Sequence, residues 1–129
     1  MAIEKVDEGR LVILVTGDRE WRSPKQIRII YRELAVFPKG SILVHGAARG
    51  VDSLAGEIGK ELGFEIRAYP ADWEQYGRAA GPIRNRLMLK EQKPDIVIAF
   101  HHRIDESKGT KDMIIVAGQS GVKTRLVMC

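Results

Sequence analysis

Short runs of apolar, mostly β-branched residues alternate along the chain with longer stretches in which apolar residues recur every three or four positions. The run 11–15 is continuously apolar, which is typical of a strand covered on both faces. The next stretch opens with Ser23 and Pro24, residue types suited to a helix N-cap and to the first helical position. Because Ile30 and Leu34 then follow at helical spacing, this stretch is predicted to be a helix with one apolar stripe.

The same reasoning along the whole chain predicts five strands separated by four helices. The predicted strands are 11–15, 41–45, 65–69, 96–100 and 123–128. The predicted helices are 24–37, 53–62 (capped by Asp52 or Ser53), 82–92 and 110–120. Strands separated by helices pair in parallel through right-handed crossovers, and a barrel needs eight such units. We therefore expect a single Rossmann-like, three-layer α/β domain with a five-stranded parallel sheet in the order 3-2-1-4-5.

Composition limits the class of protein. The 129 residues are about one domain's worth, and we assign 11–129 to the domain and 1–10 to a polar N-terminal extension. With 44% hydrophobic and 29% charged residues, the chain is not a disordered tail. No apolar run approaches the roughly 20 residues that span a bilayer, and the N-terminus resembles neither a signal nor a transit peptide. The single cysteine, Cys129, excludes an internal disulfide framework and a cysteine-based zinc site, so we expect a cytoplasmic protein without membrane association.

The net charge of +4 favours an anionic ligand but does not distinguish a nucleotide from a nucleic acid. In a doubly wound sheet, ligands bind beyond the carboxyl ends of the strands, so the loops after the first four strands form the candidate site. The first of these loops contains Gly17, which lets the backbone turn beside a ligand, and Arg19, whose guanidinium offers forked donors to phosphate. An ordinary strand-to-helix turn with an exposed arginine would have the same sequence.

The loop after the second strand, 45–52, is rich in glycine and alanine and is therefore thin. A ligand could approach the backbone around Gly46, Arg49 and Gly50, where amides and a helix N-terminus attract phosphate or carboxylate. The spacing matches neither the P-loop nor the dinucleotide fingerprint. We expect Asp52 to cap the following helix rather than to act as a base.

Two aromatic residues follow the third strand. Trp73 or Tyr76 could stack on a nucleotide base, a contact worth about 1–3 kcal/mol in proteins that bind single strands. Alternatively, these side chains plug the edge of the sheet or fill a subunit interface, and for Trp73 we favour this second interpretation.

Further candidates for anion binding lie at two helix starts. Arg84 and Arg86 would be in the first turn of the third predicted helix, where cations are unfavourable, so an anion should compensate for them, a ligand rather than a salt bridge. After the fourth strand, Ser107, Gly109 and Thr110 are typical of an anion-accepting nest.

The histidines suggest no metal site. We expect His45, at a strand end, to be hydrogen-bonded structurally. His101 and His102 are adjacent, so their side chains should point in different directions, and we predict no metal ion there.

Five segments occur in a distinctive order: 16–19 (TGDR), 45–52 (HGAARGVD), 69–73 (YPADW), 81–88 (GPIRNRLM) and 107–110 (SKGT). Together they resemble the YspA-type, cpYpsA-related branch of the SLOG superfamily of Rossmann-like nucleotide-binding domains. The resemblance covers about 11–127 and implies that these loops bind a nucleotide, a nucleotide derivative or nucleic acid. For this branch the ligand is generally unassigned.

The related LOG phosphoribohydrolases, also described as lysine decarboxylase-like, cleave the N-glycosidic bond of nucleoside monophosphates. Arg84 and Met88 match their arginine and methionine, whereas Asn85 replaces their lysine. The position of their glutamate holds Met113, and Asp112 lies one residue earlier, a rotation of about 100° on a helix. A LOG-like hydrolase with Arg84 and Asp112 as candidate catalytic residues is therefore one alternative, and the sequence leaves open whether the chain is an enzyme.

A second relative, the DNA-processing protein of natural transformation, binds single-stranded DNA. Its Pro-x-Arg-Asn-Arg segment is matched by 82–86. The resemblance makes a single-stranded DNA-binding protein the second alternative.

From these inferences we expect the chain to bind a phosphorylated nucleotide or nucleotide derivative, with ligand sensing as one role and no required cofactor. SLOG proteins commonly pair, which implies a homodimer or a higher homo-oligomer, and single-stranded nucleic acid remains a candidate partner. The candidate nucleotide- or phosphate-binding residues are Gly17, Arg19, Gly46, Arg49, Gly50, Asp52, Arg84, Asn85, Ser107, Gly109 and Thr110.

Overall fold

The computed structural model, which describes residues 10–128, has three layers: a five-stranded sheet with helices on both faces. The strands are β1 (Val12–Gly17), β2 (Ile42–His45), β3 (Glu65–Ala68), β4 (Ile96–Phe100) and β5 (Lys123–Val127). The helices are α1 (Pro24–Leu34), α2 (Val51–Glu61), α3 (Trp73–Tyr76), α4 (Ala80–Gln92) and α5 (Gly109–Gln119). Except for Arg10, the predicted extension 1–10 lies outside the described residues, as does Cys129.

The sheet has the predicted topology. Every pair of neighbouring strands is parallel, and the order is β3-β2-β1-β4-β5. Parallel strands need crossover connections, which the helices supply. The register pairs Val15 with His45 on one side of β1 and Gly17 with Phe100 on the other. The loops that follow β1, β2 and β4 therefore leave the sheet at the same edge.

Each face of the sheet has its own hydrophobic core. Because side chains alternate along a strand, Ile13 and Val15 of β1 pack beneath α1 and α2, whereas Leu14 packs beneath α4 and α5. Trp21 and Phe100 extend the first core towards the carboxyl edge, with ring centroids 5.9 Å apart in an edge-to-face contact. Among the described residues, no helix combines the length and the apolar content needed to cross a membrane.

The start of α4 differs from the prediction. The helix begins at Ala80, because the 3-10 turn Gly77–Ala79 continues directly into it. Pro82 is accepted at the third helical position, since the first four amides of a helix have no partner within it. Arg84 and Arg86 therefore lie beyond the first turn, where the helix dipole acts weakly. The prediction that they lie in that turn and need an anion for this reason was wrong.

The end of α1 and the connection after β3 also differ from the prediction. Ser23 is the predicted N-cap of α1, and its hydroxyl accepts the Gln26 amide at 3.1 Å. The helix ends at Leu34 rather than at residue 37, because the Phe37 amide turns back to the Leu34 carbonyl. The connection 71–81, predicted without a helix, contains α3.

Candidate functional site

The loops after β1 and β2 touch each other through their backbones. Gly50 has a φ of 77°, and a Cβ there would collide with the backbone of Asp18 and Arg19. Glycine at this position therefore permits the contact. Within the second loop, His45 Nδ1 accepts the Ala47 amide at 2.9 Å, which is the structural role predicted for this histidine. Burial, assisted by a nearby arginine, lowers the pKa of His45 and favours its neutral form.

Asp52 points back into the loop instead of capping α2. Gly50 is the N-cap residue, and the Asp52 carboxylate accepts the amides of Gly46 (3.0 Å) and Ala48 (3.3 Å). The cap prediction was wrong because the turn at Gly50 brings loop amides, rather than helix amides, within reach of the carboxylate. Burial raises the pKa of Asp52 to about 6, and the two amides and Arg84 partly oppose this rise.

Arg84 joins two loops from its position on α4. Its guanidinium donates to the carbonyls of Gly46 and Tyr69, the latter at 3.1 Å, and its Nε donates to Asn85 Oδ1 at 3.0 Å. A Cβ on residue 46 would lie 2.5 Å from Nη1, so any larger residue at this position would displace the guanidinium from where it lies. Burial lowers the pKa of Arg84, and the nearby Asp52 carboxylate opposes this effect. Arg84 thus ties the loop after β2 to the loop after β3.

A cavity of about 390 Å³ opens beside this tie, at the carboxyl edge of the sheet. It is lined by Arg19, Gly46, Ala47, Ala48, Arg49, Pro70, Ala71, Trp73 and Arg84. Five of the predicted residues therefore share one cavity: Arg19, Gly46, Arg49, Trp73 and Arg84. The other lining residues lie in the segments singled out by sequence, but their small, apolar side chains carry no chemical signal.

The three arginines of the cavity are held differently. Arg84 is tied to loop carbonyls, as described above. Arg49 forms an ion pair with Glu20 at 2.7 Å, and both side chains are about two-thirds exposed. Arg49 lowers the pKa of Glu20 through this contact. Arg19 is exposed and has no ion pair with an acidic side chain in the described part of the chain.

Gly17 ends β1 at the point where the winding direction of the sheet reverses, and it is tightly packed there. A Cβ on Gly17 would lie 2.5 Å from the Phe100 carbonyl oxygen and 2.7 Å from Val51 Cβ. Gly17 was predicted to line the floor of the ligand site, but it packs between neighbouring strand and helix and does not line the cavity.

The two adjacent histidines face the same carboxylate, contrary to the prediction that they point apart. His101 Nε2 lies 3.7 Å and His102 Nδ1 lies 3.6 Å from Asp18 Oδ2, and the rings are stacked with centroids 6.0 Å apart. The bend after β4 brings both rings to one side, with His101 Nδ1 accepting the Arg103 amide at 2.9 Å. Within residues 10–128, no group of three or more histidine, cysteine or acidic side chains is arranged to hold a metal ion.

In the predicted nest after β4, a side chain of the segment already accepts one of its amides, and the segment does not line the cavity. Ser107 Oγ accepts the Thr110 amide at 3.0 Å, and Thr110 is buried. Asn85 Nδ2 donates to the Gly109 carbonyl (3.4 Å) and to Asp112 Oδ2 (3.0 Å). None of these five residues lines the cavity, so the structure does not bring them together with the cavity arginines.

The two aromatic candidates are the first and the last residue of the short helix α3. Asp72 caps this short helix by accepting the Gln75 amide at 3.1 Å. Trp73 lines the cavity and is 51% exposed, whereas Tyr76 is 43% exposed and does not line it. Because Trp73 is half exposed, it does not plug the edge of the sheet within one chain, and the interpretation that it fills a subunit interface stays a prediction.

Comparison with known proteins identifies relatives of this chain. The model of a family described as "YspA, cpYpsA-related SLOG family" matches residues 11–76, a span that holds every cavity residue except Arg84. The chain is also similar to the "Gene 61 protein" of Mycobacterium phage D29. The two are 32% identical over 116 residues, which cover 85% of this chain and 90% of the phage protein.

Proposed function

This chain belongs to the YspA, cpYpsA-related SLOG family, and from this premise we propose that it binds the phosphate group of a nucleotide or nucleotide derivative in the cavity. Membership of this family is compatible with binding of a nucleotide derivative. The observation that carries the proposal is the convergence of Arg19, Arg49 and Arg84 on one cavity beside Trp73.

The charge of the cavity favours an anion. Three guanidinium groups line it, and two carboxylates, Asp52 and Glu20, contact the same loops. Asp52 is buried and shares its charge with two amides, while Glu20 lies at the rim. Guanidinium groups pair with the oxygens of phosphates and carboxylates alike, and a phosphate dianion is favoured over a carboxylate because it carries the larger charge.

The size of the cavity favours a small nucleotide. Its volume of about 390 Å³ lies near the lower end of the 300–1,000 Å³ that ligand sites typically span. One phosphorylated nucleoside therefore suits it better than a dinucleotide lying wholly inside. Trp73 offers an exposed ring face on which a base can stack.

The three arginines of the cavity have different roles in this proposal. The hydrogen bonds of Arg84 to two loop carbonyls support a positioning role for it. Arg19 has no such ties, and Arg49 has only an exposed ion pair, so these two side chains are the ones that can turn towards a phosphate.

Isothermal titration calorimetry with AMP, ADP-ribose, NAD and cyclic nucleotides tests the proposal. At least one of them should bind, and Arg19→Ala should weaken that binding about tenfold or more, because a charge-assisted hydrogen bond is lost. Arg22→Ala is the matched control, since Arg22 is exposed on the same loop but does not line the cavity. The absence of binding, or equal weakening by both variants, would contradict the proposal.

Neither alternative function gains comparable support. A LOG-like hydrolase needs a group that activates water, and the candidate Asp112 is bonded to Asn85 and to Arg86 (3.5 Å) outside the cavity lining. For single-strand binding, Arg84 of the matching motif already donates to two loop carbonyls and has fewer donors for a strand phosphate.

A further inference from the structure

We propose that Glu20 is an internal competitor for the anion subsite: its carboxylate pairs with Arg49 and must leave before a phosphate binds that arginine. The inference rests on the proposed function and adds to it a residue that no sequence motif singled out.

Backbone contacts fix Glu20 opposite Arg49. The Val51 amide donates to the Asp18 carbonyl at 3.0 Å, so the loops after β1 and β2 cannot separate without breaking this bond. Gly50 permits the close approach because it has no Cβ. The Glu20 amide donates to Asp18 Oδ1 at 2.7 Å, which fixes the direction in which the Glu20 side chain leaves the loop. The Glu20–Arg49 ion pair therefore lies between two loops that are hydrogen-bonded to each other.

The pair is weak enough to be displaced. Arg49 Nη2 and Glu20 Oε2 are 2.7 Å apart, but 69% of the Arg49 side chain and 64% of the Glu20 side chain are exposed. Exposed ion pairs change an equilibrium by a factor of only about 1.5 to 5. A phosphate dianion carries twice the charge of a carboxylate, so it replaces Glu20 at Arg49. Arg84, in contrast, is part-buried and bonded to two carbonyls, and it is not free to exchange partners.

Glu20 consequently acts on charged ligands only. While it remains at the rim, its negative charge offsets one of the three arginines of the cavity. A neutral nucleoside gains nothing from Arg49 and loses nothing to Glu20. Neutralising Glu20 should therefore strengthen the binding of phosphate-bearing ligands and leave that of the parent nucleoside unchanged.

The test compares Glu20→Gln with wild type by calorimetry, using AMP, inorganic phosphate and adenosine as probes. Glutamine keeps the size of the side chain and removes its charge. We expect AMP and phosphate to bind about 1.5- to 5-fold more tightly and adenosine to bind equally. Glu57→Gln is the matched control, because Glu57 is exposed on α2 and does not line the cavity. In the Arg49→Ala background, Glu20→Gln should bring no gain.

The outcomes separate this inference from the proposed function. If Arg19→Ala weakens AMP binding but Glu20→Gln does not strengthen it, the function stands and the competitor role is overturned. A gain that persists in the Arg49→Ala background also overturns it, because the effect would not pass through the pair. If neither wild type nor Glu20→Gln binds AMP or inorganic phosphate, the competitor role is overturned, whereas the proposed function is overturned only if wild type also fails to bind ADP-ribose, NAD and the cyclic nucleotides.

Discussion

Replacing Asp52 by asparagine should remove a pH dependence of stability that is opposite in sign to that of most carboxylates. Burial raises the pKa of Asp52 from its ordinary value of 3.8 to about 6. Between these values the folded chain keeps a proton that the unfolded chain has released, so stability from this group falls as the pH rises. The contribution is complete below about pH 4 and lost above about pH 6. The two pKa values correspond to a change of at most about 3 kcal/mol.

Urea unfolding of wild type and Asp52→Asn at a series of pH values from about 4 to 7.5 measures this effect. The free energy of unfolding of wild type minus that of the variant should fall by about 2 kcal/mol over this range, most of the maximum, because the unfolded group is already largely deprotonated at pH 4. Taking the difference cancels the pH dependence that both proteins share. Glu65, for example, contributes a pH dependence of the opposite sign, because its hydrogen bonds to Arg10 and Arg67 lower its pKa. Asparagine keeps one oxygen for the loop amides, so the loop retains a partner. A difference that is constant, or that grows with pH, would refute burial as the dominant cause.

Three further predictions concern other parts of the site and its support. Arg84→Met leaves two loop carbonyls without their shared donor and should lower the free energy of unfolding by about 1–3 kcal/mol in a urea titration. Gly56→Ala would put a Cβ 2.9 Å from His45 Nε2 and should destabilise the fold by about 1–3 kcal/mol. Gly118→Ala, which faces open space on α5, should stabilise it slightly; equal melting temperatures for the two variants would argue against this packing. Nucleotide binding should quench the fluorescence of Trp73, and Trp73→Phe should lose that signal; an unchanged signal would mean that the ligand does not reach the ring.

The order of the elements was readable from the chain because each one carries a local signal. Continuous apolar runs marked β1 and β4, and Ser23 with Pro24 marked the start of α1. Alternation of strands and helices then left few topologies, of which 3-2-1-4-5 was correct. The start of α4 was misjudged because Pro82 looked like a first helical residue, whereas the preceding 3-10 turn had already begun the helix.

The candidate site was only partly predictable. Sequence identified Arg19, Arg49 and Arg84, which do share a cavity: Arg19 and Arg49 lie in the loops after β1 and β2, and Arg84 lies near the start of α4. The role of Arg84 could not be read, because its partners are backbone carbonyls that carry no residue signature. Glu20 was missed for a related reason: its neighbour Arg49 lies 29 residues away along the chain.

Local chemistry along the chain therefore determined the fold class, the strand order and the loops that meet at the carboxyl edge of the sheet, because periodicity, capping residues and glycines act over a few neighbouring positions. Only the tertiary structure decided what those loop residues do. Arg84 meets a carbonyl 38 residues away, and Asp52 turns to amides of its own loop once Gly50 has set the turn. Hydrogen bonds and charges act through space at distances of a few ångströms, and which groups come that close depends on how the folded loops are packed.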